Sequence, residues 1–254
     1  MPNRKAINFD GLSIKVQRFL KLNDGYCRGL IKKITKGYKK SSYSQCGEDL
    51  IIKFIFETLK IAKPLYLDIG AHHPIILNNT YLFYKEGSQG VCIEPDPTLY
   101  LDLRKKRRRD ICLNIGVGVS QSTKADFYIM TCKTLNTFVK EEAERYQSYG
   151  KQKIEKVVQI PLVHINDVLQ NNFQRCPNLI SIDVEGMELV ILKSFDFSKY
   201  RPEVFCIETL VYTEDKSEKK IDEIIDLMIS SEYMVYADTY INTIFVDKKT
   251  WLNR

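Results

Sequence analysis

Four short apolar runs in this chain each end in an acidic residue: Leu65-Tyr-Leu-Asp68, Gly90-Val-Cys-Ile-Glu94, Leu179-Ile-Ser-Ile-Asp183 and Val204-Phe-Cys-Ile-Glu208. Runs this short and this uniformly apolar suit strands buried on both faces. Between them lie segments with helical spacing, such as residues 46–60, apolar at 50, 51, 54, 55 and 59. Strands alternating with helices predict βαβ units around a mostly parallel sheet. Tyr233 to Ala237 and Thr243 to Val246, joined by a short polar connection, predict an antiparallel hairpin. The expected fold is α/β, a mostly parallel sheet with that C-terminal hairpin. It spans residues 41–254, after a basic helical N-terminal extension over residues 1–40. Glu141 to Tyr149 reads as an exposed helix, and Lys219 to Ser231 as another helix.

The bulk numbers exclude several classes. A chain of 254 residues is long enough for one large α/β domain. No apolar run approaches the roughly 20 residues needed to cross a bilayer. Met1 to Lys5 is charged but no apolar stretch follows, so no signal peptide is expected. Seven cysteines form no CxxC pair, which argues against a zinc ribbon or a disulfide framework and for a reducing, cytoplasmic compartment. The net charge of +6 is concentrated in the first 40 residues and in Arg104 to Arg109. No aromatics interleave with that basic hexamer, so it reads as a solvated face and nucleic acid is an unlikely partner. The basic N-terminus suits peripheral contact with an anionic membrane or glycolipid.

In open parallel sheets, ligands bind beyond the carboxyl ends of the strands. Here those ends carry Asp68, Glu94, Asn114, Asp183 and Glu208. Carboxylates at that edge repel a phosphate but suit a cation or a ligand with hydroxyls. The turn Asp68-Ile-Gly-Ala-His-His-Pro74 has one glycine where a dinucleotide-binding turn has three. S-adenosylmethionine (SAM) has no phosphate; it offers an ammonium, a carboxylate, a sulfonium and a ribose. Asp68 can meet its charged methionyl end, and Gly70 with Ala71 lets the backbone pass close. Glu94 can accept from both ribose hydroxyls. Asn114 stands either at an adenine contact or in a plain turn.

On the acceptor side, Asp183 and Glu185 are candidates to orient a hydroxyl or take its proton. Of the pair His72-His73, His73 is the candidate base. The acids and His73 near one edge would admit a metal, but no compact ligand spacing such as HExxH occurs, and none is assigned.

The motifs together resemble the FkbM family of SAM-dependent methyltransferases over roughly residues 43 to 210. The resemblance runs through Tyr43-Ser-Gln-Cys-Gly-Glu-Asp49, Asp68 to Pro74, Asn79-Thr80 and Gly90 to Pro95. It continues through Ile182-Asp-Val-Glu-Gly186, Glu188-Leu189, Arg201-Pro202 and Glu208. It implies a Rossmann-like class I methyltransferase fold on a mostly parallel seven-stranded sheet, SAM as donor, and O-methylation, commonly of sugar hydroxyls in surface glycans or of secondary metabolites. It also implies that Asp68, Gly70 and Glu94 contact SAM. Ser44, Gln45 and Glu48 would line the cofactor or acceptor side, and Asp183 and Glu185 the acceptor side. The chain departs from the family at Leu135-Asn-Thr137, where a central serine is expected, which bears on acceptor choice and not on fold. The expected acceptor is a sugar or glycoconjugate. Alternatives are a secondary metabolite or nucleic acid as acceptor, a nucleotide-linked oxidoreductase, and a non-catalytic glycan-binding module.

Overall fold

A computed structural model describes residues 40–119, 124–211 and 219–254. The expected extension over residues 1–40 lies, but for Lys40, outside the described residues. The four apolar runs are strands β1 (Tyr66–Ile69), β2 (Gly90–Ile93), β7 (Leu179–Ile182) and β8 (Val204–Glu208), all fully buried. With β3 (Ile111–Leu113), β11 (Tyr233–Asp238) and β12 (Asn242–Asp247) they form one seven-stranded sheet in the order β11-β12-β8-β7-β1-β2-β3. All pairs are parallel except β11–β12 and β12–β8. The expected mostly parallel sheet and its closing hairpin are therefore both present.

Alternate residues of each strand feed two cores. Leu67, Ile69, Ile93, Ile182, Phe205 and Ile207 face helices α5 (Ile165–Asn172), α6 (Glu188–Ser194) and α7 (Asp222–Ser230). Tyr66, Cys92, Leu179, Cys206 and Ile244 face α1 (Glu48–Thr58), α2 (Tyr81–Lys85) and α3 (Pro97–Lys106). Helix α1 meets the sheet with Ile52, Ile55 and Phe56, three and four residues apart as one helical face requires. Helix α3 starts where Asp96 accepts from the backbone amide of Thr98 and Pro97 occupies the first turn.

Between β3 and β7 the chain leaves the main sheet. It builds a three-stranded sheet from β4 (Gly116–Val117), β5 (Lys124–Met130) and β6 (Ile154–Val163), with helix α4 (Lys140–Ser148) beside it. Helix α4 corrects the expectation of an exposed helix. Its Ala143 and Tyr146 are buried with Met130 and Leu135, a small core that two apolar residues in a charged segment did not advertise. The helix expected from Lys219 begins only at Asp222, because Lys219–Lys220 form β10, paired antiparallel with β9 (Leu210–Val211). A short helix, α8 (Lys248–Leu252), ends the chain, and no helix among the described residues is long and apolar enough to cross a membrane.

The basic hexamer is not uniformly a solvated face. Arg104, Lys105, Lys106, Arg108 and Arg109 are exposed, but Arg107 is completely buried. Its Nε donates to Asp110 at 2.8 Å, and its two terminal nitrogens reach Asn78, Pro74, Tyr66 and Thr80. Asp110 in turn accepts from the Tyr66 hydroxyl and the Gly90 amide. A fork of five fixed donors can tie β1, β2 and the 74–80 loop together; a lysine could not.

Candidate active site

Strand order reverses between β1 and β7, the place where α/β sheets open a crevice. Here the two strand exits nearly touch. Gly70 has φ 82°, and a Cβ on it would sit 1.7 Å from the Asp183 carbonyl oxygen. Glycine is required on both counts. A cavity of about 470 Å³ opens at this point, within the usual range for small-molecule sites. One wall is the sheet edge, with Gly70, His72, Glu94, Asp183, Glu185 and Glu208. The opposite wall comes from the three-stranded sheet and its loops, with Phe127, Lys133, Leu135, Asn136 and Phe138. Gln45, Leu77 and Tyr240 contribute to the lining too.

Among the described residues, six other than glycine have positive φ: Lys60, His72, Leu77, Glu185, Glu232 and Tyr240. Four of these, His72, Leu77, Glu185 and Tyr240, line the cavity. Such backbone costs about 1–3 kcal/mol per residue and concentrates at ligand sites.

Glu94 is buried, and its two carboxylate oxygens accept from the amides of His72 at 2.7 Å and Asp96 at 2.8 Å. A carboxylate has about four lone-pair sites, so about two remain for ligand hydroxyls. Burial pushes its pKa up to about 8, with the charges of Asp96 and Asp68 adding to the rise and the two amides opposing it. Unfolded, the group ionises near 4.5. Its burial therefore costs nothing at low pH and destabilises the ligand-free fold progressively as pH climbs from about 4.5 to about 8. A ligand that hydrogen-bonds the ionised form pulls the other way. SAM affinity is expected to rise between about pH 6 and about pH 9, and Glu94→Gln to flatten that slope. Calorimetry across that range checks both; an unchanged slope in the variant would remove Glu94 as the source.

Desolvation also raises the three acids around the 183–188 turn: Asp183 to about 6, Glu188 to about 7 and Glu185 well above the usual range, the last with help from the charge of Asp183. Glu185 accepts from the Tyr146 hydroxyl at 2.9 Å. Glu188, 2% exposed, clamps the turn by accepting from the amides of Val184 and Gly186.

Of the residues expected at the site, Gln45, Gly70, Glu94, Asp183 and Glu185 line the cavity. Glu48, Asp68, Ala71, Asn114 and His73 are not part of its lining. Asp68, expected at the methionyl end of SAM, is buried, and one of its oxygens accepts from Asn78 at 3.2 Å and Thr80 at 2.7 Å. It holds the turn that carries the wall. Glu48 accepts from the Cys46 amide, Thr239 and Asn242, joining α1 to the hairpin. Ala71 gives its carbonyl to Asn78, and Asn114 spends its amide on the carbonyls of Glu94 and Pro95. The Nδ1 atom of His73 accepts from the amides of Ile75 and Ile76, as a turn cap does.

His72, not His73, faces the cavity, and both its ring nitrogens are buried with no partner. Burial lowers its pKa, and the nearby His73 adds to that. The sequence signalled the pair; only the left-handed backbone at His72 decides which ring points inward.

These observations fit SAM. The glycine crevice admits close backbone approach, Glu94 keeps acceptor sites for a diol, and the orphaned His72 nitrogens call for a polar ligand in the same cavity. Gly70 and Glu94 would hold the cofactor, with His72 beside them.

The sequence comparison agrees. Residues 68–236, about two thirds of the chain, match the family described as the methyltransferase FkbM domain. No protein of curated function matches the sequence. Solved structures similar to this chain include a TehB-like SAM-dependent methyltransferase from Corynebacterium glutamicum. It shows 9% identity over 90% of this chain and 99% of that one, with TM-score 0.40. An O-methyltransferase from Bacillus cereus in complex with SAH shows 11% identity, 93% and 91% coverage and TM-score 0.42. A Burkholderia thailandensis 1,6-didemethyltoxoflavin-N1-methyltransferase shows 8% identity, 95% and 96% coverage and TM-score 0.39. On the family match, the chain belongs to the FkbM family of methyltransferases, enzymes that take their methyl group from SAM.

Proposed function

We propose that this enzyme methylates a hydroxyl of a sugar, in a glycan or glycoconjugate. The observation that carries the reading is a cavity lining of mixed character. Asp183, Glu185 and Glu208 contribute carboxylates to it, and Phe127, Leu135 and Phe138 contribute apolar side chains. A sugar ring has both characters, hydroxyls at its rim and C–H faces that pack on aromatic rings. SAM, when bound, supplies a sulfonium methyl group open to displacement by an oxygen nucleophile. The chain has to align that oxygen and receive its proton. Asp183 and Glu185 stand at the crevice to do so. Burial raises the Asp183 carboxyl above the usual range, which makes its ionised form a better proton acceptor.

Asp183→Asn is expected to bind SAM normally and to lose about 10²–10⁴-fold in turnover. The acceptor itself is found by mass spectrometry of surface glycans with and without the gene, looking for one CH₂ per acceptor. Near-normal turnover in the variant removes Asp183 from the mechanism, and unchanged glycans remove the sugar.

The buried state of Arg107 takes one of the six cations of the basic run out of reach of a nucleic-acid acceptor. Contact of residues 1–40 with a glycolipid or membrane surface belongs to the same proposal and rests on their basic composition. A cytoplasmic site of action accords with six free thiols among the described residues.

A further inference from the structure

We propose that Asp183, Glu185 and Glu208, completed by the side-chain carbonyl of Asn242, form a site for one divalent cation of the Mg²⁺ or Mn²⁺ type. Each of the three carboxylates offers an oxygen within 4.8 Å of the others. They come from the exit of β7, the turn after it and the end of β8, so the fold and not one local segment brings them together. Among the described residues, none of the three has a Lys, Arg or His partner within 4.0 Å to balance its charge.

The second observation is independent of the acids. Asn242 is 2% exposed, and its Oδ1 is buried with no partner. Its Nδ2 donates to Glu48 at 3.1 Å, which identifies the other end of the amide as the free acceptor. In the antiparallel ladder Asn242 stands directly opposite Glu208. Directly opposed residues project from the same face of a sheet, so the amide emerges beside the Glu208 carboxylate. Leaving such an oxygen unsatisfied is costly, and a ligand there would recover that cost.

Three carboxylates and an amide carbonyl are all hard oxygen donors, the set that selects Mg²⁺ or Mn²⁺ over softer metals. Such ions usually keep open positions for water or substrate oxygens. This extension rests on the sugar-hydroxyl reading: two neighbouring hydroxyls of the acceptor would fill those positions, and the ion would orient and acidify the one to be methylated. Each carboxylate needs one oxygen for the cation, and the other remains to receive the hydroxyl proton.

The test titrates Mn²⁺ into the full chain after treatment with a chelator and dialysis, reading free Mn²⁺ by electron paramagnetic resonance. The expected result is one saturable site per chain. Glu208→Gln and Asp183→Asn should each weaken it at least about 10-fold, roughly the loss of 1.4 kcal/mol. Asn242→Ala should weaken it as well, because the fourth oxygen donor is lost while the three carboxylates stay. Glu208→Gln keeps shape while removing a buried charge, so its melting temperature should be no lower than the parent's, which separates lost ligation from lost fold. Absence of a saturable site in the parent overturns the proposal. So does Mn²⁺ affinity that the Glu208 and Asp183 variants leave unchanged, or an Asn242→Ala variant that binds as tightly as the parent. Failure of sugar methylation with Mn²⁺ binding intact would overturn only the acceptor reading.

Discussion

Arg107→Ala is expected to destabilise the fold by about 3–5 kcal/mol, the usual cost of breaking a buried ion pair from one side. The loss reaches beyond Asp110. The guanidinium also satisfies the Asn78 and Thr80 oxygens, and Thr80 and Asn78 are the donors that hold Asp68. Removing it leaves Asp110 charged and fully buried, with the hydroxyl of Tyr66, the amide of Gly90 and the weak thiol donor of Cys92 as its remaining hydrogen-bond donors. In a domain of this size each kcal/mol lowers Tm by about 2–4 °C, so a drop of roughly 10 °C is expected. Arg107→Lys keeps the charge but not the fork and should fall between. Arg108→Ala, at an exposed neighbour, should change Tm little. Thermal unfolding of the three variants checks the order; an unperturbed Arg107→Ala would mean that the network is ornamental.

Gly70→Ala is expected to abolish useful SAM binding, by at least about 100-fold, or roughly 2.7 kcal/mol. A methyl group 1.7 Å from the Asp183 carbonyl cannot be accommodated without moving β1 away from β7. That separation displaces the cofactor turn and the acceptor carboxylates together. Gly150→Ala is the control. Its φ of 81° matches that of Gly70, but nothing lies within 4 Å of the added carbon. It pays only the conformational cost of about 1–2 kcal/mol. Calorimetry with SAM on both variants separates crowding from backbone strain, and equal affinities would show that the close approach is not essential.

The centre of the sheet was legible because β1, β2, β7 and β8 are buried on both faces, and that condition writes itself as unbroken apolar runs. Gly70, Glu94 and Asp183 were legible for a related reason, and Glu185 with them: the first three stand directly after β1, β2 and β7, Glu185 follows in the same turn, and topology places strand ends at the ligand. What could not be read was direction within a turn. Asp68 and Asn114 stand at strand ends too, yet one turns inward to Thr80 and the other back to its neighbours' carbonyls. His72 and His73 are adjacent and chemically identical, and only the sign of φ at His72 separates wall from cap. Arg107 was hidden inside a run of like residues, since composition cannot tell which of six cations is enclosed. Asn242 lay beyond the reach of motifs because its importance comes from pairing with Glu208, a residue 34 positions earlier.

The three-stranded sheet has a consequence for how such an enzyme can change. The chain quits the main sheet after β3, forms the far wall of the cavity, and returns at α5 before β7 begins. The far wall is thus one contiguous excursion, while the crevice residues lie on strand ends outside it. Deletions, insertions or substitutions between Gly116 and Val163 can reshape one side of the cavity and leave the parallel strands in register. A lineage could exchange one acceptor for another in that single stretch of sequence, keeping its methyl donor throughout.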